Sequence, residues 1–254
     1  SFRNTLVRDI VNDLPDLLYV KRNDSIASTI SLLLQNDVQS VGIYCEDETC
    51  FIGLVSVLDI MTWVALAFYP LDDPDSEVKA QRSLDKPIGE IHGIFHDETR
   101  RIWNFEEDMT LGEILEPFSK GVHRAVVSLK DEKFKIITQT DVIRFAYAKK
   151  DQFPEFAQTV AGLNLGGKPE DLYTLKANET ALMGFRKMDM EYYWAVPVVD
   201  PDTGALVGTL SASDIRSVAP DNINQVKLTV KDFLKSFKTP IVVQKSDIVE
   251  DVVK

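Results

Sequence analysis

The 254-residue chain carries 40 acidic against 28 basic side chains, a formal charge of −12, with 44% hydrophobic and 27% charged residues. That composition builds a globular protein with a sizeable core and argues against a nucleic-acid or anionic-membrane surface. The longest apolar run, MTWVALAFY, is half of the roughly 18 residues that a membrane-spanning helix needs.

The first periodic stretch, residues 17–44, predicts strand, turn, helix and strand. Ser25 suits an N-cap, and Ile26, Ile30, Leu33 and Leu34 form an apolar stripe at helical spacing. VGIYC and FIGLVS flank the acidic turn EDET and predict a hairpin. Asp59 then opens a second helix, DIMTWVALAF, so the unit is β-α-β-β-α. A polar insertion follows, with a helix expected around Glu77 to Leu84. Residues 101–148 repeat the order, with helices from Thr110 and from Asp141. The linker after them ends in Gly-Gly-Lys-Pro, a module boundary. Residues 171–218 repeat it again, with a turn at Asp202-Thr203-Gly204 and a helix from Asp214. A fourth copy starts in 239–254, where a strand and a helix are expected.

The fold class is therefore α+β, with four tandem repeats of which the fourth is incomplete. Their bounds read 1–68, 101–150, 169–220 and 221–254, with an insertion at 69–100 and a linker at 151–168. A repeat with so small a sheet cannot bury both faces alone, so repeats are expected to pair, one with two and three with four. No secretory leader is visible, and the first residue is Ser1 rather than Met, so the sequence reads as a piece of a longer chain.

The copies align at their last strand-to-helix junction: LVSVLDIM with Ser56 and Asp59, IITQTDVI with Thr138 and Asp141, TLSASDIR with Ser211 and Asp214. One reading is helix capping, in which the carboxylate takes backbone N–H groups of the first turn, worth about 1 kcal/mol. The other is ligand binding. A carboxylate can hold both hydroxyls of a ribose, and a hydroxyl beside a helix N-terminus suits a phosphate or ribose oxygen. The same pair in three copies favours the second reading in at least one.

Other signals are weaker. Cys45 and Cys50 across the predicted hairpin could form a disulfide or half of a metal site, but two buried thiols in a reducing cytosol fit better. His92 and His96 are four apart, but Gly93 weakens the helix that a metal site would need. Trp63 and Trp103 read as core or module-interface aromatics rather than base-stacking platforms. LNLGGKP lacks the spacing of a P-loop, and no nucleophile elbow or Ser-His-Asp ordering is present.

The repeated β-α-β-β-α unit with its terminal [ST]-x-x-D resembles the cystathionine-β-synthase (CBS) domain, and four such repeats resemble the γ subunit of AMP-activated and SNF1-type protein kinases. The resemblance implies two paired Bateman modules and a non-catalytic, energy-sensing regulatory protein that binds AMP, ADP or ATP and needs no cofactor or metal. Asp59, Asp141 and Asp214 would then hold ribose, with Ser56, Thr138 and Ser211 beside them. GVHRAVV resembles the His-Arg of γ subunits and nominates His123 and Arg124 for phosphate. Their counterparts read as Ser40 and Gln39 in the first copy and Tyr193 and Trp194 in the third. Arg144 and Arg216 are further phosphate candidates, each with a solvated helix face as its alternative. Copy two keeps an Asp that γ subunits often lose. The implied partner is a kinase subunit, a second CBS protein or a second copy of the chain, in the cytoplasm or nucleus, with no nucleic acid and no membrane. A ligand-free scaffold, or the regulatory part of a larger enzyme or transporter, is the alternative.

Overall fold

The structure, a computed structural model, describes residues 2–47, 50–70, 73–95, 103–167 and 172–254. Three sheets of three strands each follow one plan: β1 (Tyr19–Lys21), β2 (Ser40–Tyr44) and β3 (Phe51–Ser56); β4 (Asn104–Glu106), β5 (Arg124–Ser128) and β6 (Phe134–Thr138); β7 (Leu175–Lys176), β8 (Ala195–Val199) and β9 (Leu206–Ser211). In each sheet the first pair is parallel and the second antiparallel. The parallel pair is bridged by a helix, as its geometry requires. These helices are α2 (Ile26–Gln35), α5 (Leu111–Ser119) and α7 (Ala181–Glu191), with α1 (Arg8–Val11) ahead of them, α3 (Val57–Ala67) and α4 (Ser76–Ser83) between, and α6 (Gln139–Tyr147) after β6.

Local chemistry sets these helix starts. Ser25 Oγ accepts the Ser28 N–H at 3.0 Å. Thr110 and Glu113 form a reciprocal capping box, the Glu113 carboxylate taking the Thr110 N–H at 2.7 Å. Thr180 Oγ1 accepts the Met183 N–H at 3.3 Å. α7 stops at Tyr192, which adopts φ 57°, left-handed geometry that ends a helix.

The chain divides into two compact units, neither continuous in sequence: residues 18–101 with 173–240, and residues 1–17 with 102–172 and 241–254. Repeats one and three thus share one unit and one buried core, running from Ile30, Val41, Val55 and Met61 to Phe185, Val198, Leu210 and Ile215. This grouping of one with three was not anticipated from the sequence. The reason lies in α3: eight of its residues from Val57 to Ala65 are buried, on every face, Asp59 and Thr62 among them. A helix apolar all round must be covered all round. α7 of repeat three supplies that cover, with Thr62 Oγ1 donating to Asp189 at 2.6 Å and Arg186 Nε donating to the Ala65 carbonyl at 3.2 Å. The other unit has its own core around Val7, Val11, Phe105, Leu111, Ile114 and Ile137.

A clasp repeated four times explains why the units are discontinuous. The stretch preceding each repeat forms an antiparallel bridge at the start of another repeat's first helix. Val7 donates to Met109 and Leu111 donates back to Thr5; Ile88 donates to Asp24 and Ile26 donates back to Lys86. Val230 and Glu179 pair in the same way as Ala181 and Leu228, and Val160 and Asp247 as Val249 and Gln158, every bond between 2.8 and 3.0 Å. The bridged pairs are Leu6–Thr110, Ser25–Pro87, Thr180–Thr229 and Thr159–Ile248. Residues 1–17, assigned to repeat one from sequence, therefore pack in the unit of repeat two.

Two predicted elements take other forms. The helix expected from Asp214 is a six-residue 3-10 turn, Ala212–Ser217, because Pro220 and the residue before it disfavour continuation. The strand expected in 239–244 is absent and only α9 (Val249–Val253) forms, after a short α8 (Val230–Leu234). A strand requires a neighbour to take its hydrogen bonds, and no described strand lies beside this segment. Ile241 is accordingly 98% exposed. The helix expected around Glu77 to Leu84 is present as α4.

Candidate functional site

The three hydroxyl–carboxylate corners adopt one local geometry. Ser56, Thr138 and Ser211 are each an extended N-cap residue, and Asp59, Asp141 and Asp214 are the third residues of the turns that follow. In each, one carboxylate oxygen accepts both the N–H and the hydroxyl of the cap residue: 2.9 and 3.1 Å at Ser56, 2.9 and 2.6 Å at Thr138, 2.7 and 3.2 Å at Ser211. Capping thus occupies half of each carboxylate. The second oxygen distinguishes the corners.

In repeat one it faces inward. Asp59 is 0% exposed, and its Oδ1 accepts the Phe95 N–H at 3.4 Å. The segment leading to Phe95 lies over the corner. His92 packs on Gly53 so closely that a Cβ there would overlap the imidazole, and Phe95 meets Tyr192 edge-on at 5.8 Å. His92 Nε2 is buried with no hydrogen-bond partner among the described residues. Burial holds the His92 pKa below its ordinary value, against the opposing pull of the Asp59 charge. His96, its proposed metal partner, lies outside the described residues.

In repeat two the second oxygen faces an arginine. Asp141 Oδ1 is 3.7 Å from Arg144 Nη1, and the arginine side chain is 76% exposed. Across the hairpin, Arg124 lies directly opposite Thr138, and the His123 carbonyl accepts the Gln139 N–H at 3.1 Å. Both side chains are half-buried. Thr138, Asp141 and Arg144 thus lie together at this corner, and the strand register brings the backbone of His123 and Arg124 beside it.

In repeat three Asp214 is half-buried. Arg216 turns away from it: Nη1 donates to Asp37 at 2.9 Å and to the Val38 carbonyl at 3.2 Å, and Nε to the Ser213 carbonyl at 3.2 Å. The strand register places Ala195 opposite Ser211, and the Trp194 carbonyl takes the Ala212 N–H as that of His123 takes Gln139. The third-copy counterparts of His123 and Arg124 are therefore Trp194 and Ala195, one residue on from the sequence alignment. Gln39 and Ser40 fill those places in repeat one, as expected.

A position that the sequence reading passed over recurs three residues before each hydroxyl: Gly53, Lys135 and Gly208. Phe237 packs on Gly208 as His92 packs on Gly53. Lys135, only 8% exposed, instead reaches out itself, with Nζ donating to the carbonyls of Val11, Asn12 and Leu14 at 3.0, 2.9 and 2.6 Å. A glycine at the same offset in two copies was the available clue.

The remaining candidates are structural. Trp63 packs on the core and donates to the Ser83 carbonyl at 3.3 Å, and Trp103 packs on the core of the other unit. Cys45 and Cys50 are thiols outside any disulfide; contrary to expectation they are not buried, Cys45 being half-buried and Cys50 exposed at the hairpin tip. Among the described residues no cluster of metal-ligating side chains occurs, and no helix is long and apolar enough to cross a membrane. Two clefts, of about 440 and 340 Å³, are lined by residues other than those of the corners.

The sequence profile of the CBS domain matches residues 7–66 and 169–221. Residues 104–147, outside that match, fold on the same plan. Two proteins of Arabidopsis thaliana, the SNF1-related protein kinase regulatory subunit gamma-like PV42a and PV42b, are 25% and 22% identical over 91% and 84% of this chain. The alignments cover 71% and 63% of those proteins. A crystal structure from Methanocaldococcus jannaschii, of a candidate archaeal homologue of the AMP-activated kinase γ subunit, superposes with TM-score 0.76 at 17% identity, over 98% of this chain and 88% of that one. At that identity the likeness establishes the fold.

Proposed function

We propose that this chain, whose residues 7–66 and 169–221 match the CBS domain and which is similar to SNF1-related γ-like subunits, is a non-catalytic regulatory protein that binds an adenine nucleotide, AMP, ADP or ATP, and reports its occupancy to a kinase partner. The observation that supports this reading is the repeat-two corner, where Thr138 and Asp141 are joined, Arg144 lies 3.7 Å from Asp141, and Arg124 stands opposite Thr138 in the strand register. One Asp141 oxygen is spent on the cap; the other would take a ribose hydroxyl, and the cations would neutralise phosphate. How many phosphates they neutralise would decide among the three nucleotides. Repeat three offers the same hydroxyl and carboxylate, with Trp194 and Ala195 in the places of His123 and Arg124 and with Arg216 bonded to Asp37 and Val38. At repeat one a specific observation supports the scaffold reading instead: Asp59 is 0% exposed and its second oxygen accepts the Phe95 N–H.

Calorimetric titration with AMP tests the assignment. Asp141→Asn keeps an acceptor for the cap and removes the charge, and should weaken AMP binding about 30-fold or more, a loss of some 2 kcal/mol or above. Asp59→Asn should leave AMP affinity unchanged. Equal affinity in wild type and Asp141→Asn would refute the repeat-two site. Absence of any thermal shift with AMP, ADP, ATP, S-adenosylmethionine or NAD, where saturation at 100 times Kd adds about 2.7 kcal/mol, would favour the empty scaffold throughout.

A further inference from the structure

The tip of the β2–β3 hairpin holds a feature that nucleotide binding does not use. Cys45 and Cys50 continue the antiparallel ladder beyond the Tyr44–Phe51 pair, with the Cys45 N–H donating to the Cys50 carbonyl at 3.0 Å. The Cys50 N–H points at Cys45 Sγ, 2.9 Å away, which places that sulfur against its partner's backbone. Directly opposed residues in an antiparallel ladder have Cα atoms roughly 4.5–5.5 Å apart, inside the roughly 4.4–6.8 Å window of a disulfide. Cys50 is exposed and Cys45 half-buried, so an oxidant meets one sulfur first while the other waits beside it. The tip is also tied to the β1–α2 turn, where the Asn23 N–H donates to Glu46 at 2.8 Å, which holds the strands in register.

We propose that Cys45 and Cys50 are a modification site, a dithiol that a peroxide converts to an intramolecular disulfide. The Cys50 thiolate attacks hydrogen peroxide, breaking the O–O bond to give the sulfenic acid and hydroxide. The Cys45 thiolate then attacks the Cys50 sulfur and expels a second hydroxide as the S–S bond forms. With the two thiol protons, the net products are one disulfide and two waters, the peroxide being reduced. The hydrogen bond that the neutral Cys50 thiol makes to the Cys45 side chain raises the Cys50 pKa from its ordinary value. The thiolate is then scarce at neutral pH and the reaction slow, so the test reads the end point rather than the rate.

The intact chain is incubated with hydrogen peroxide, or in an oxidising glutathione buffer, and read by thiol titration, intact mass and peptide mapping. The expected result is joint loss of both thiols, a mass lower by two hydrogens and a peptide cross-linked between Cys45 and Cys50, all reversed by dithiothreitol. In Cys45→Ser, Cys50 should instead remain as a sulfenic acid that dimedone labels. Persistence of both thiols at equilibrium would overturn the proposal. So would oxidation or glutathionylation of Cys50 alone while Cys45 still titrates.

Discussion

Asp59, Asp141 and Asp214 occupy equivalent positions, yet their second oxygens meet a backbone N–H, an arginine and, at Asp214, no hydrogen-bond donor among the described residues. The cap itself was legible in the sequence, because a hydroxyl three residues before a carboxylate is a local signal. The closure of Asp59 was not, because Phe95 arrives from 36 residues away and nothing in the periodicity of 91–95 announces it. His92 gives that closure a measurable signature. Its folded pKa lies below the ordinary 6.5, chiefly through burial, so the folded state binds the proton less readily than the unfolded chain does. Its contribution to stability is complete above pH 6.5 and declines as pH falls toward the folded value. Urea unfolding from pH 7.5 to 5 should show a steeper loss in wild type than in His92→Phe; identical slopes would mean that the ring is not enclosed in solution.

At the scale of elements, the strands leading into the corners are shaped by what lies over them. Gly208 of β9 leaves room for the Phe237 ring, and a Cβ there would overlap it. Gly208→Ala should therefore cost about 1–3 kcal/mol by overpacking. Phe237→Ala should cost a comparable amount by cavity formation, and the double variant should lose clearly less than the sum. Strict additivity in chemical denaturation would contradict the contact. Strands and first helices could be read from sequence because alternation and capping are local. The 3-10 turn at 212–217 escaped because Asp214, Ile215 and Arg216 fit either helix, and Pro220, beyond the motif, decides. The strand expected at 241–244 does not form because its apolar residues suit a strand, but no described strand lies beside them to pair with.

At the scale of the molecule, the four clasps decide which stretches share a unit. Val7 and Val11 precede repeat one yet are 0% exposed in the core of repeat two. Replacing both with Ala should lower stability by about 3–5 kcal/mol. Hydrogen exchange should quicken at Asn104–Glu106 and Leu111–Ser119, roughly a hundred residues downstream; protection unchanged there would argue against the clasp. Repeat number and order were visible in the sequence, and so was the all-apolar face of α3, which required a second cover. Which repeat supplied it was not visible, since complementarity between α3 and α7 is a matter of shape rather than pattern.

The exchanged stretches also set a timetable for a chain emerging from the ribosome. Thr5 and Val7 are translated about a hundred residues before Met109 and Leu111, their hydrogen-bonding partners, and the unit holding them draws its last stretch from residues 241–254. The unit built from 18–101 and 173–240 has all its parts earlier. Synthesis from the N-terminus therefore completes the second-starting unit first, while Val7 and Val11 wait in water for partners about a hundred residues downstream.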